Sequence, residues 1–83
     1  MQAPEELDAV AADAFAATLE QPGAIVVDCG AIEFIDSSGL RVLLEANERA
    51  IRDGETFVLR APSTVLRRLL TITSTDEVFT IEP

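Results

Sequence analysis

Phe34-Ile35-Asp36-Ser37-Ser38-Gly39-Leu40 leads directly into Arg41-Val42-Leu43-Leu44-Glu45-Ala46-Asn47-Glu48-Arg49-Ala50-Ile51-Arg52-Asp53-Gly54. An apolar approach, a carboxylate, two hydroxyls and a glycine precede a run with apolar residues at helical spacing. Leu40, Leu43, Leu44, Asn47 and Ile51 mark one stripe, widened by Val42, Ala46 and Ala50, which predicts an amphipathic helix from about Ser38 to Asp53. Asp36 or Ser37 is placed to accept a hydrogen bond from a first-turn N–H, and Gly54 to close the helix as its C′ residue. Gly39 in the first turn costs about 1 kcal/mol against alanine, so another surface is expected to approach the backbone there. Glu45 and Arg49, then Glu48 and Arg52, stand four apart with the acid first, the better order for surface pairing.

Working outward, residues 8–20 read as an alanine-rich helix with Asp8 as N-cap and Ala11, Phe15, Thr18 and Leu19 turned inward. Gln21-Pro22-Gly23 ends it. Ala24-Ile25-Val26-Val27-Asp28-Cys29 is a continuous β-branched run, the look of a strand covered on both faces, and Thr56-Phe57-Val58-Leu59 is a second. Ala61-Pro62-Ser63 turns into a third helix, with Leu66, Leu69 and Leu70 inward and Arg67 and Arg68 toward water. Val78-Phe79-Thr80-Ile81 reads as a final strand. The order α-β-α-β-α-β predicts a small α/β domain over residues 1–83, with a mostly parallel sheet and crossover helices. Three clear strands are few for such a sheet, so strands at the front are expected to be absent or reduced.

The chain carries 15 acidic and 6 basic residues, a net charge of -9. The first basic residue is Arg41; everything before it, from Glu5 through Asp36, contributes only acids. Nucleic acid and anionic membrane are therefore poor partners. There is no histidine, lysine, tyrosine or tryptophan. A serine nucleophile at Ser37 or Ser38 would lack a base, and Gly39 does not complete G-x-S-x-G, so no catalytic residue is assigned. Asp28, Glu33 and Asp36 have the chemistry of Mg²⁺ ligands, but such acids more often form a solvated rim; no metal or cofactor is assigned. The lone Cys29 lies in an apolar stretch and reads as a core residue. The N-terminus lacks the pattern of a secretory signal and no apolar run reaches about 18 residues, which makes the cytoplasm the expected location.

Two readings of Asp36-Ser37-Ser38 remain. One is helix capping. The other is a phosphoserine switch: a hydroxyl at a helix N-terminus accepts an anion with little strain on the fold, yet the added charge would sit beside Asp36, Glu33 and Asp28. A partner docked on that rim would be repelled while the domain stayed folded.

Val26-Val27-Asp28, then Phe34 to Leu40, Val42-Leu43-Leu44 and Asn47-Glu48-Arg49-Ala50 resemble a STAS domain, in particular the bacterial anti-sigma factor antagonists. Glu6-Leu7-Asp8, Ala61-Pro62-Ser63 and Asp76-Glu77-Val78-Phe79 add to the likeness. The resemblance implies that Ser37 is phosphorylated by an anti-sigma factor that is itself a serine kinase. The unmodified antagonist binds that kinase and frees sigma factor; the phosphorylated form lets go, and a phosphatase resets it. Asp8, Asp36, Ser38, Gly39, Leu40 and Arg41 then form the phosphosite environment and partner surface. Family members usually carry two more strands at the front, ending in Gly-Glu-Leu-Asp, where this chain has Glu5-Glu6-Leu7-Asp8. True absence of those strands would leave an edge open and favour a homodimer or strand exchange. Ser74-Thr75 stands where glycine and an apolar residue are usual, so the third helix is expected to end less sharply. The alternative is a STAS subunit doing structural work, for example in a lipid-transport complex, with Ser37 only a cap.

Overall fold

Two short strands each end in an aspartate that opens a helix. In the computed structural model, which describes residues 1–83, β1 (Glu6–Leu7) runs through Asp8 into α1 (Ala9–Thr18). After β2 (Ile25–Asp28), β3 (Phe34–Ile35) runs through Asp36 into α2 (Ser37–Arg52). β4 (Phe57–Arg60), α3 (Thr64–Ile72) and β5 (Thr80–Glu82) complete the chain.

β2, β4 and β5 form a parallel sheet in the order β2-β4-β5, with Val27 beside Leu59 and Leu59 beside Ile81. β1 and β3 form a separate parallel pair, Glu6 beside Phe34 and Leu7 beside Ile35. Residues 1–3 lie along β2 on the side away from β4: Asp28 N–H donates to the Met1 carbonyl at 2.7 Å and Ala3 N–H to the Asp28 carbonyl at 2.9 Å. Residues 1–3 thus occupy the edge of β2 opposite β4.

The order β2-β4-β5 advances in one direction, so right-handed crossovers put α2 and α3 on the same face. Burial alternates accordingly. Ile25, Val27, Phe57 and Leu59 are buried under the helices, whereas Val26 and Val58 are only half-buried and Asp28 and Arg60 are exposed. The expectation of strands covered on both faces is therefore corrected: one face carries the core and the other meets solvent. Leu7, Leu43, Leu59, Leu66, Val27 and Cys29 are fully buried in that core, and the Phe57 and Phe79 rings pack at 6.5 Å with a 46° tilt.

Other sequence expectations shift by small, explicable amounts. On α1 it is Ala12 rather than Ala11 that is buried beside Phe15, and Thr18 is exposed, its hydroxyl donating back to the Phe15 carbonyl at 2.6 Å. Ile51, expected on the inward stripe of α2, is instead 68% exposed. The Glu45–Arg49 and Glu48–Arg52 pairs do not form. Arg49 instead donates to the Leu19 carbonyl at the end of α1, and the one ion pair joins Arg60 to Glu82 at 2.8 Å. Val78-Phe79 precedes β5 in a turn, held by Asn47 Nδ2 donating to the Val78 carbonyl at 3.3 Å.

Both long-range helix exits are sharp. α2 ends in a Schellman turn, with Gly54 at φ +70°, Gly54 N–H on Ile51 O at 3.2 Å and Glu55 N–H on Ala50 O at 2.8 Å. α3 ends in the same motif with Ser74 at φ +59°, Ser74 N–H on Thr71 O at 3.1 Å and Thr75 N–H on Leu70 O at 2.9 Å. The expected loose end is corrected: a serine takes the left-handed conformation that glycine adopts more cheaply.

Candidate functional site

The site is built on the start of α2. Asp36 has extended backbone (φ -115°, ψ -171°), and its Oδ1 accepts the N–H of Ser38 at 2.9 Å and of Gly39 at 3.2 Å. Asp36 is therefore the N-cap, and Ser37 is the first helical residue, exposed to solvent. The helix end is satisfied without the Ser37 hydroxyl. Ser38 and Asp36 are half-buried, Arg41 is exposed, and Gly39 and Leu40 are buried.

Gly39 answers a steric demand. A Cβ there would lie 2.7 Å from Leu7 Cγ, nearer still to the Leu7 carbonyl oxygen, and 3.0 Å from Ile35 Cγ1. β1 and its carbonyl press on the first turn of α2, so only a glycine fits. Leu40 faces inward as part of the core.

Asp8 repeats the arrangement at α1, its Oδ1 accepting the Ala11 N–H at 3.0 Å. Asp8 follows Leu7 as Asp36 follows Ile35, and Leu7 pairs with Ile35. Asp36 N–H in turn donates to the Leu7 carbonyl at 3.4 Å, so both capping aspartates directly follow the same strand pair. The rim is thus two adjacent helix N-termini, each capped by a carboxylate, with Ser37 standing out from one of them.

Two sequence candidates stand apart from this rim. Asp28 Oδ1 accepts the Gly30 N–H at 3.0 Å, an Asx turn at the end of β2. No three acidic side chains gather into a metal-holding group, so Asp28, Glu33 and Asp36 are not one cluster. Cys29 is fully buried and its thiol is pushed up to about 12 by burial and then by the Asp28 charge. It is an inert core residue. The groove between α1 and α2, about 200 Å³, lies along later turns, against Ala16, Leu19, Val42 and Arg49 rather than the start of α2.

The sequence reading missed β1, β3 and the role of Leu7. The signal was present: Glu6-Leu7-Asp8 and Phe34-Ile35-Asp36 each place an apolar residue and then an aspartate before a helix. Two-residue strands are too short to show alternation, so the pairing was invisible.

Residues 3–82 match the family model described as Mlab, STAS domain, and the chain belongs to the STAS domain family. Three solved structures share its fold. One, from Thermotoga maritima and described as an anti-sigma factor antagonist, has a TM-score of 0.82 at 22% identity, with 98% of this chain and 75% of that one covered. An anti-sigma-factor antagonist (STAS) domain protein from Planctomyces limnophilus gives 0.81 at 23% identity, covering 98% and 78%. A sulfate transporter family protein from Wolinella succinogenes gives 0.75 at 20% identity, covering 99% and 74%. No curated protein matches the sequence. No helix is long and apolar enough to cross a membrane.

Proposed function

We propose that this domain is an anti-sigma factor antagonist, a binding module rather than an enzyme, switched off by phosphorylation of Ser37. The observation that carries the proposal is the division of labour at the start of α2. Asp36 caps the helix through Ser38 and Gly39, which leaves the exposed Ser37 hydroxyl without a structural task. Ser37 Oγ would attack the γ-phosphorus of ATP held by a partner serine kinase, giving its proton to a base of that kinase and releasing ADP. The modified serine carries about -1.5 to -2 charges on a rim already lined by Asp8 and Asp36, and an electronegative or tightly fitted partner surface is expelled. A phosphatase resets the module by hydrolysis.

The test is incubation with a cognate anti-sigma kinase and ATP, followed by intact-mass and peptide measurements. A phosphoryl group mapped to Ser37, with partner binding lost on modification and retained by Ser37→Ala, supports the proposal. Phosphate found nowhere or elsewhere sinks it. A second reading is a STAS subunit with a purely structural partnership, as in a lipid-transport complex, where Ser37 is never modified. The Mlab description of the family model and the transporter-family structure favour it. Under that reading Ser37→Asp and the natural protein bind their partner equally.

A further inference from the structure

Arg41 carries the only basic side chain among the first 48 residues. It is exposed, as Ser37 is, and it lies four residues further along the same helix. Helix residues four apart are neighbours on one face, about 5–6 Å between Cβ atoms. A long helical side chain leans back over the turn before its own Cα, and for Arg41 that turn begins with Ser37 and Ser38. The only ion pair in the structure is Arg60–Glu82, so Arg41 is uncommitted.

We infer that Arg41 is the group that receives the phosphate when Ser37 is modified, closing an intrahelical phosphoserine–guanidinium pair. The inference rests on the reading of Ser37 as the modified residue, and it names what that reading lacks: a cation able to hold the new charge on a rim of carboxylates. A guanidinium meets phosphate oxygens with two parallel N–H donors, a stronger contact than an ordinary hydrogen bond. Acid before base at this spacing is the favourable order along a helix. Glu45, four residues beyond Arg41, competes only in the weaker base-first order.

The pair alters how the switch works. Unmodified, the rim offers a partner one cation in a field of acids. Modified, that cation is folded back onto the domain's own phosphate. The partner then loses an attractive contact as well as gaining a repulsive one, and the phosphate stabilises the first turn of α2 instead of fraying it.

The experiment uses full-length protein with phosphoserine built in at position 37 during synthesis, so that no kinase is needed, in the natural, Arg41→Ala and Arg41→Lys backgrounds. The second phosphate ionisation, ordinarily near 6, is followed by phosphorus NMR. With Arg41 present the midpoint is expected about half a pH unit below that of Arg41→Ala, with Arg41→Lys between them. The gap should shrink in 1 M salt, where screening acts over about 3 Å. Circular dichroism melts of the unmodified proteins check that the substitutions leave the fold intact. Identical midpoints in the three backgrounds overturn the assignment. Because the phosphate is placed synthetically, a kinase that ignores Ser37 would remove the functional reading while leaving this measurement to stand or fall separately.

Discussion

α2 and α3 open in the same way and are filled in opposite ways. Each follows a strand and opens on a polar N-cap, Asp36 directly after β3 for α2 and Ser63 after Ala61-Pro62 for α3, whose side chain accepts a first-turn N–H. Each places an exposed hydroxyl at the first helical position, Ser37 and Thr64. Two residues later they diverge: α2 has the buried Gly39 and α3 the fully buried Leu66. In α3 a side chain makes the contact with the core. In α2 the backbone itself does, because β1 runs close enough for the Leu7 carbonyl to occupy the place of a Cβ. The lesson concerns Ser37. A helix start pinned through its backbone holds its position whatever the outward side chains carry, which is what a modifiable residue requires.

The contrast is broken most severely by shrinking the α3 position. Leu66→Ala empties a fully buried site and is expected to cost about 3 kcal/mol, lowering the melting temperature by about 15 °C for a domain of this size. Enlarging the α2 position should also destabilise. Gly39→Ala gains about 1 kcal/mol of helix propensity but forces Leu7 and β1 away, for a net loss of about 2 kcal/mol. Chemical denaturation with a helical signal measures both. A neutral or stabilised Gly39→Ala would mean that β1 does not press on α2, and the pinned-backbone argument would fail with it.

The helix exits give a smaller effect of the opposite sign. Gly54 and Ser74 occupy the same left-handed position of the same motif, and only one of them is glycine. Ser74→Gly should stabilise by about 1 kcal/mol and raise the melting temperature by about 5 °C, while Gly54→Ser should do the reverse. If Ser74→Gly loses stability, the serine side chain contributes something that its backbone angle hides.

These elements also explain what could be read in advance. α2, β2 and β4 declared themselves because leucine spacing and β-branched runs extend over enough residues to reveal a period. The helix caps Asp8 and Gly54 were legible because local hydrogen bonding dictates the residue type, whereas the α2 cap was narrowed only to Asp36 or Ser37, and the structure selects Asp36. The turn at Val78-Phe79 looked like a strand because its residues favour one; the choice was made at a distance, by Asn47 holding the Val78 carbonyl and Phe79 packing on Phe57. The left-handed Ser74 carried no glycine to announce it. At the site, the exposed serine and its acidic neighbour were visible in sequence, whereas the reason for Gly39 lies 32 residues away at Leu7 and needed the fold.

The smallest effect is the most discriminating for the switch. Ser37→Asp and Thr64→Asp place the same carboxylate at the same first-turn position of two helices, and both positions are exposed. An anion there is favoured by the helix dipole by about 0.3–1 kcal/mol. On α3 the cap is the neutral Ser63, so Thr64→Asp should be stabilising by about 0.5 kcal/mol at low salt. Each new carboxylate also gains an exposed arginine four residues on, Arg41 in α2 and Arg68 in α3, a contribution common to both. On α2 the charge further meets the capping Asp36 and its neighbour Asp8, which cancels much of the gain, and Ser37→Asp should change stability by about 0.3 kcal/mol or less. The difference between the two variants therefore measures the rim's repulsion toward an incoming anion, and it should fade as salt is raised. A loss of more than about 1.5 kcal/mol in Ser37→Asp would show that the hydroxyl holds the fold after all. Weakened partner binding by that variant could then no longer be separated from unfolding.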